Sequence, residues 1–529
     1  MQRIYYLFAL GLLLGFAACE PSGPISNNDI PQPTVNLRLT KDITPLGGKP
    51  PLNRVAIDRL VLQNLMERDQ FRWDYVDDYT VWSAATITDS LVSIGYQPEG
   101  FQNLDQRIHE IDVNQGEWKA VREAILKYVE IEYNRLHPSD EPIKGEDLIA
   151  FGEKPLPYLN LHLYDYEIIA SLRNMNVIRY VEPMGYGTEN DPSIRSASGC
   201  GGANGANVPA SDYTTVSPNA KVSWNYSYMN IQNAWNLSQG DNIVVGVIDS
   251  GISSSQNKLN GGFASGWSGG RFRQKYGFHE TCSWWFWCSN DGPNDDCGHG
   301  TTMAGTIAAP RTNAGSTVGV AYKADLISCR GTNDVVINES NEKDGVSDSY
   351  YFLGGRNDVK IISMSLGDVF YSGQVADAVR YANNRGKLIF AAAGTSLTWT
   401  SWVGVIFPAS MSETVAVTGV KTGSPTQRCS VCHDGSAVDF IVTMEDRNDS
   451  DRVPLSLAMS GNTPTYVGGS SVATATTAGI AALVWAANPN QSKSQVYNRM
   501  KEAASNYPNR SGSFGWGQID AFAAVNAVP

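Results

Sequence analysis

The chain has 529 residues and 42% hydrophobic content, enough for two or three domains with a sizeable core. Its net charge of −13 argues against nucleic acid and anionic membrane surfaces as partners.

The first element is a short basic start, Met1-Gln2-Arg3, followed by an apolar stretch from Ile4 to Ala18. That stretch is too short for a stable membrane span and reads as a signal peptide over residues 1–18. It ends Gly15-Phe16-Ala17-Ala18-Cys19, and small residues before a Cys resemble a bacterial lipoprotein processing site. Cys19 is then the expected lipidation site, and an ordinary secretory signal is the alternative. Residues 19–51 are rich in Pro, Asn, Ser and Thr without apolar periodicity, and read as a flexible tether.

Residues 52–187 form a separate region. Leu52 to Leu62 and Trp118 to Leu136 have amphipathic helical spacing. A strand (Tyr158 to Leu163), a helix (Glu167 to Leu172) and a strand ending Val177-Ile178-Arg179-Tyr180-Val181-Glu182-Pro183 follow. The next stretch, 188–218, is Gly-, Asn- and Ser-rich and reads as a processing linker.

Three motifs then stand in one order. Ile243 to Ile248 is an unbroken apolar run, read as a buried parallel strand with Asp249 at its carboxyl end, where open α/β sheets place their sites. Gly298-His299-Gly300-Thr301 opens a helical run of small residues, and Gly469-Ser470-Ser471-Val472-Ala473 opens a second, Ala-rich one. A Ser at a helix start has free N–H groups beside it that suit a developing oxyanion. Singly, each motif reads as a turn, a helix start or a cap. Together, Asp, His and Ser in that order supply a carboxylate, a base and a hydroxyl nucleophile, in the chain order of a subtilisin triad.

On these residues, residues 215–529 resemble the subtilase family of serine proteases. Ser363-Met364-Ser365-Leu366-Gly367 resembles its substrate-binding strand. Leu388 to Gly394 resembles the strand leading to the oxyanion hole, and Gly515 to Ala521 its closing segment. The resemblance implies an α/β, subtilisin-like three-layer fold with a central parallel sheet over 219–529. It implies Ser471 as nucleophile, His299 as general base and Asp249 as orienting carboxylate. Ser365, Leu366 and Gly367 are implied to pair with an extended substrate, and Ala393 and Gly394 to line the pocket before the cut. The end of the 52–187 region resembles the end of a subtilase propeptide, implying an α+β domain that assists folding and plugs the cleft; an independent domain is the alternative.

Two departures stand out. Where the family usually has Asn after Ala-Ala-Gly, as an oxyanion donor, this chain has Thr395. A hydroxyl can donate but is shorter, so the expected oxyanion donors are Thr395 and the Ser471 N–H. Ala475 stands where Pro is usual, which bears on backbone preorganisation more than on the chemistry.

Of the eight Cys, one is assigned to lipid, and an exported context favours disulfides for the rest. The resemblance to proteinase-K-like relatives implies a Cys297–Cys329 bridge. Local bridges Cys282–Cys288 and Cys429–Cys432 are the simplest further reading, leaving Cys200 over. Trp284-Trp285-Phe286-Trp287 lies inside the first of these loops; the rings fold onto the domain or form a docking surface. Asp291, Asp295 and Asp296, with Asn294, are candidate calcium ligands or a solvated turn.

The expected function is an exported serine endopeptidase made as a zymogen, with no cofactor in the chemistry and calcium as a candidate structural ion. Its expected partners are peptide substrates, its own propeptide and, through the lipid, a membrane. The expected location is the cell envelope, as an outer-membrane or cell-surface lipoprotein, with release after maturation as a variant. A catalytically weak binding module and a maturation protease with one substrate remain as alternatives.

Overall fold

The computed structural model describes residues 35–68, 70–187, 200, 203–282, 288–395, 403–424 and 426–527. The signal, Cys19, most of the tether, residues 188–199 and the Trp284–Trp287 loop lie outside the described residues.

The N-terminal region forms a three-stranded antiparallel sheet, β1 (Leu91–Tyr96), β2 (Tyr158–His162) and β3 (Ile178–Pro183), in the order β2-β1-β3. Four helices cover it: α1 (Arg54–Arg68), α2 (Asp78–Thr86), α3 (Gly116–Leu136) and α4 (Tyr166–Arg173). Their buried apolar residues, including Ile57, Val81, Ile125 and Ile168, share one core with Val92 and Ile94 of β1. Periodicity predicts α1, α3, α4, β2 and β3; the central strand β1 is buried on both faces and so shows no alternation.

The second unit is built on a seven-stranded parallel sheet. Its strands are β4 (Val244–Asp249), β5 (Arg273–Gly277), β6 (Asp325–Arg330), β7 (Val359–Met364), β8 (Leu388–Ala392), β9 (Val415–Lys421) and β10 (Val438–Glu445). The order is β10-β9-β8-β7-β4-β6-β5, every neighbour pair parallel. Side chains alternate between two layers. Val245 and Val247 of β4 pack with α5 (His299–Ala308) and α8 (Gly469–Ala487). Val244 and Ile248 face the opposite layer, α6 (Ser340–Gly355) and α7 (Gly373–Asn384). Gly246 lets α6 approach, since a Cβ there would lie 2.7 Å from Leu353. This is the three-layer fold expected. Among the described residues, α8 is the one helix long and apolar enough to cross a membrane, but it is largely buried in this core.

The N-terminal sheet lies across α6 and α7. Lys154 pairs with Asp344 at 2.7 Å and with Asp348 at 3.0 Å on α6, and Asn160 donates to Asp344. Arg179 and Tyr180 both reach Asp377 on α7, each at 3.1 Å. An aromatic cluster of Phe71, Trp73 and Tyr186 closes on Phe370 just before α7. The linker expected over 188–218 is part of the second unit over its described length: Tyr213–Val216 pairs antiparallel with Ala220–Ser223.

Candidate active site

The site is assembled at the carboxyl ends of β4 and β7. Asp249 ends β4 and is fully buried. Its Oδ1 accepts from His299 Nδ1 at 2.8 Å and from the Ser250 N–H at 2.8 Å. His299 opens α5 behind Gly298, whose φ of +95° is the left-handed turn that glycine tolerates. Close approach of the two motifs depends on Gly300, where a Cβ would stand 2.3 Å from the Gly251 carbonyl oxygen. Burial alone would depress the His299 imidazole, but the adjacent Asp249 charge and its hydrogen bond outweigh it and hold the pKa above the ordinary value.

The start of α5 is anchored by Asp295. Its carboxylate accepts from the N–H groups of Cys297, Gly298 and Thr301 and from the hydroxyls of Ser250 and Thr301. Sequence reasoning places Asp295 among candidate calcium ligands; the structure spends its lone pairs on the His turn. Asp291 instead bonds His279 and Thr281, and the exposed Asp296 reaches Arg330. Among the described residues no group of three or more His, Cys, Asp or Glu is arranged to hold a metal.

Ser471 lies in the first turn of α8, after Gly469 at φ +81°. Its hydroxyl donates to the Ser365 carbonyl at 3.3 Å, and the Ser365 hydroxyl donates to the Ser471 carbonyl at 2.9 Å. Ser365 follows β7, the neighbour of β4, so the nucleophile candidate sits one strand from Asp249. The rest of the predicted substrate strand is differently employed. Leu366 is a core residue. The Gly367 N–H donates to Val335 O at 3.3 Å and its carbonyl accepts from Ile337 at 3.2 Å, so the edge expected for substrate is paired with the chain's own loop.

The oxyanion side is built from β8. Ala393 is fully buried, and its N–H and carbonyl are bonded to Val417 and Ile406, so it supports the pocket from inside and does not line it. The Gly394 N–H donates to the Ser470 hydroxyl at 3.2 Å and its carbonyl accepts from His433 N at 3.0 Å. Only glycine fits here: φ is +126° and a Cβ would lie 2.6 Å from His433 Nδ1. Thr395 is exposed, forms an isolated bridge with Cys432, and puts its hydroxyl 3.1 Å from that of Ser470. Sequence reasoning passes over Ser470, which reads as a cap neighbour, and considers His433 only beside Cys429 and Cys432 as an incomplete metal set, whereas the structure places it behind Gly394.

The Cys429–Cys432 bridge is present. Cys288 is disulfide-bonded, and the backbone register sets it opposite Cys282. The implied Cys297–Cys329 bridge is not formed: Cys297 bonds Cys200, and Cys329 is a free buried thiol. Alternation along β6 turns Cys329 into the apolar layer beneath α6, where burial pushes its pKa up. The Cys200–Cys297 bridge brings residues 203–206 alongside the His turn. There Ala203 O accepts from Met459 N at 2.7 Å and Ala206 N donates to Pro464 O at 2.8 Å.

The sequence profile of the Subtilase family matches residues 240–517. The thermostable alkaline protease of Halalkalibacterium halodurans is 31% identical over 284 residues, which are 54% of this chain and 68% of that protein. Alkaline elastase YaB of a Bacillus species is 32% identical over 232 residues, 44% of this chain and 56% of that protein. Subtilisin E of Bacillus subtilis is 31% identical over 293 residues, 54% of this chain and 66% of that protein. The chain thus spans between about half and two thirds of the length of these relatives. A crystal structure of MycP1 from Mycobacterium smegmatis is similar over 60% of this chain and 89% of that one, at 20% identity and a TM-score of 0.44. The chain belongs to the subtilase family and is a subtilisin-like serine protease.

Proposed function

We propose that this protein is an exported serine endopeptidase, made as a zymogen whose N-terminal domain is its propeptide. The observation that carries the reading is the buried Asp249–His299 pair at 2.8 Å, at the carboxyl end of β4, beside the strand whose continuation holds Ser471. In this reading Ser471 Oγ bonds to the scissile carbonyl carbon while its proton passes to His299. His299 then protonates the departing amine as the C–N bond breaks, and water hydrolyses the acyl-enzyme. Asp249 keeps the imidazole in one tautomer and stabilises it when charged. The Ser471 N–H and the Thr395 hydroxyl receive the developing negative charge. The chemistry uses no cofactor.

Three features support the zymogen part. The N-terminal sheet covers α6 and α7, Lys343 of α6 donates to the Met184 carbonyl, and Gly187 lies against Asn338 at the end of the loop that flanks Gly367. The described disulfides support an oxidising, exported setting. Lipidation at Cys19 would hold the chain at the cell envelope until the two units part.

A second reading, a catalytically weak member acting as a binding module, is favoured by the Ser471 hydroxyl turned to Ser365 and by the paired Gly367 edge. Such contacts commonly rearrange when substrate arrives. Intact mass and N-terminal sequence of wild type beside Ser471→Ala, with fluorophosphonate labelling, separate the two. The protease reading expects labelling and a cut in wild type alone. An uncut, unlabelled wild type supports the binding module.

A further inference from the structure

We propose that Ser470 is a positioning residue that aims the Thr395 hydroxyl into the oxyanion hole; this rests on the protease reading of Ser471. The Ser470 hydroxyl is buried, with 1% of the residue exposed. One of its lone pairs is taken by the Gly394 N–H at 3.2 Å. Its hydrogen must also find an acceptor, because a buried hydroxyl left without one is costly. Among the described residues the acceptor in reach is Thr395 Oγ1, at 3.1 Å. The order that gives both groups a partner is Gly394 N–H donating to Ser470, and Ser470 O–H donating to Thr395. Thr395 accepts on its buried side, so its own hydrogen is left for the cleft side, where the residue is exposed. Donating into an oxygen also makes that group a better donor in turn.

The surroundings fix the Thr395 oxygen in place. It lies over Gly469, two residues before Ser471, where a Cβ would come within 2.9 Å of it. Glycine at 469 therefore admits the hydroxyl to the nucleophile turn. From behind, the Thr395–Cys432 bridge and the Cys429–Cys432 disulfide hold the strand end. A short hydroxyl thus does the work of a longer amide by being held in place and polarised.

The test is a double-mutant cycle of Thr395→Val and Ser470→Ala. It is read as kcat and KM per active site, with sites counted by fluorophosphonate. Thr395→Val should lower kcat on the order of 10²-fold, the low end for losing one oxyanion donor, with little change in KM. Ser470→Ala should lower kcat by part of that factor, and the double variant should be no slower than Thr395→Val alone. Ser470→Cys, nearly the same volume but a weak donor, gives the same reading if the alanine variant does not fold. The proposal is overturned if Ser470→Ala leaves kcat unchanged, or if it lowers kcat equally with and without the Thr395 hydroxyl. A wild type that never labels at Ser471 removes the protease reading itself, and this inference with it.

Discussion

The Glu182 carboxylate accepts the backbone N–H of Gly373 at 2.7 Å, so an acid of the N-terminal domain caps the first turn of α7. Burial raises its pKa to about 7; the Gly373 N–H, Arg72 and Lys343 oppose the rise, and Asp74 adds to it. A carboxyl whose folded pKa is raised gives stability that is whole below the ordinary carboxylate range and is lost as pH climbs through about 7. Asp344 and Asp368, pushed by burial to about 7 as well, run the same way. Glu182→Gln keeps an acceptor without the charge. In the Ser471→Ala full chain, the stability of the Gln variant relative to its parent should therefore rise by on the order of 2 kcal/mol between pH 5 and pH 8, read as a Tm difference that grows over this range. A Tm difference that is flat across this range would show that Glu182 is not buried as described.

On the proposed mechanism the His299–Asp249 pair should set the acid limb of activity. In that mechanism a neutral imidazole takes the Ser471 proton, and the His299 pKa lies above the ordinary value despite burial. The limb of kcat/KM should accordingly lie above pH ~6.5, the ordinary histidine value. Asp249→Asn should lower kcat about 10⁴-fold and shift the limb downward. Gly300→Ala is a sharper geometric probe: its Cβ would press on the Gly251 backbone and part the two motifs. Its loss of activity should approach that of Asp249→Asn with Asp249 intact.

Much of this arrangement is legible in the chain, for physical reasons that also explain the misses. A parallel strand buried on both faces reads as an apolar run, so β4 and Asp249 are visible in sequence. Helix starts with glycines reveal His299 and Ser471. Sequence could not show that Asp295 holds the His turn, because acidic residues in a loop suit a cation and a helix cap equally. Nor could it order the cysteines: Cys329 belongs to the core by strand alternation, and Cys200 meets Cys297 only once the linker folds onto the second unit.

If substrate pairs as an added strand along Gly367, the Gly367–Ile337 contact bears on its entry. An extended peptide can pair with the Gly367 edge only if the Ile337 N–H lets go of the Gly367 carbonyl, 3.2 Å away. Hydrogen exchange of the Ser471→Ala protein should show the Ile337 amide protected when the cleft is empty. It should exchange faster once a non-cleaved peptide ligand is bound. If Ile337 stays protected with ligand present, substrate uses another edge and the loop is a fixed wall.

If the chain matures by a cut as proposed, Cys200 and Cys297 determine what parts from what. Ala203 and Ala206 are bonded to Met459 and Pro464, so the segment after Cys200 belongs to the second unit in structure as well as by its disulfide. A maturation cut that respects this packing falls before Cys200, and the N-terminal fragment should separate on a gel without reductant. A fragment that separates only after reduction would place the cut beyond Cys200 and leave the propeptide tethered beside the His turn. The bridge spans 97 residues of sequence, a long loop whose closure restrains the unfolded chain. Cys200→Ser should therefore cost about 2–4 kcal/mol by chemical denaturation. Its effect on kcat should be small, because the Asp295 carboxylate holds the start of α5 independently of the disulfide. A large fall in kcat without a fall in stability would instead make the bridge part of the active-site geometry.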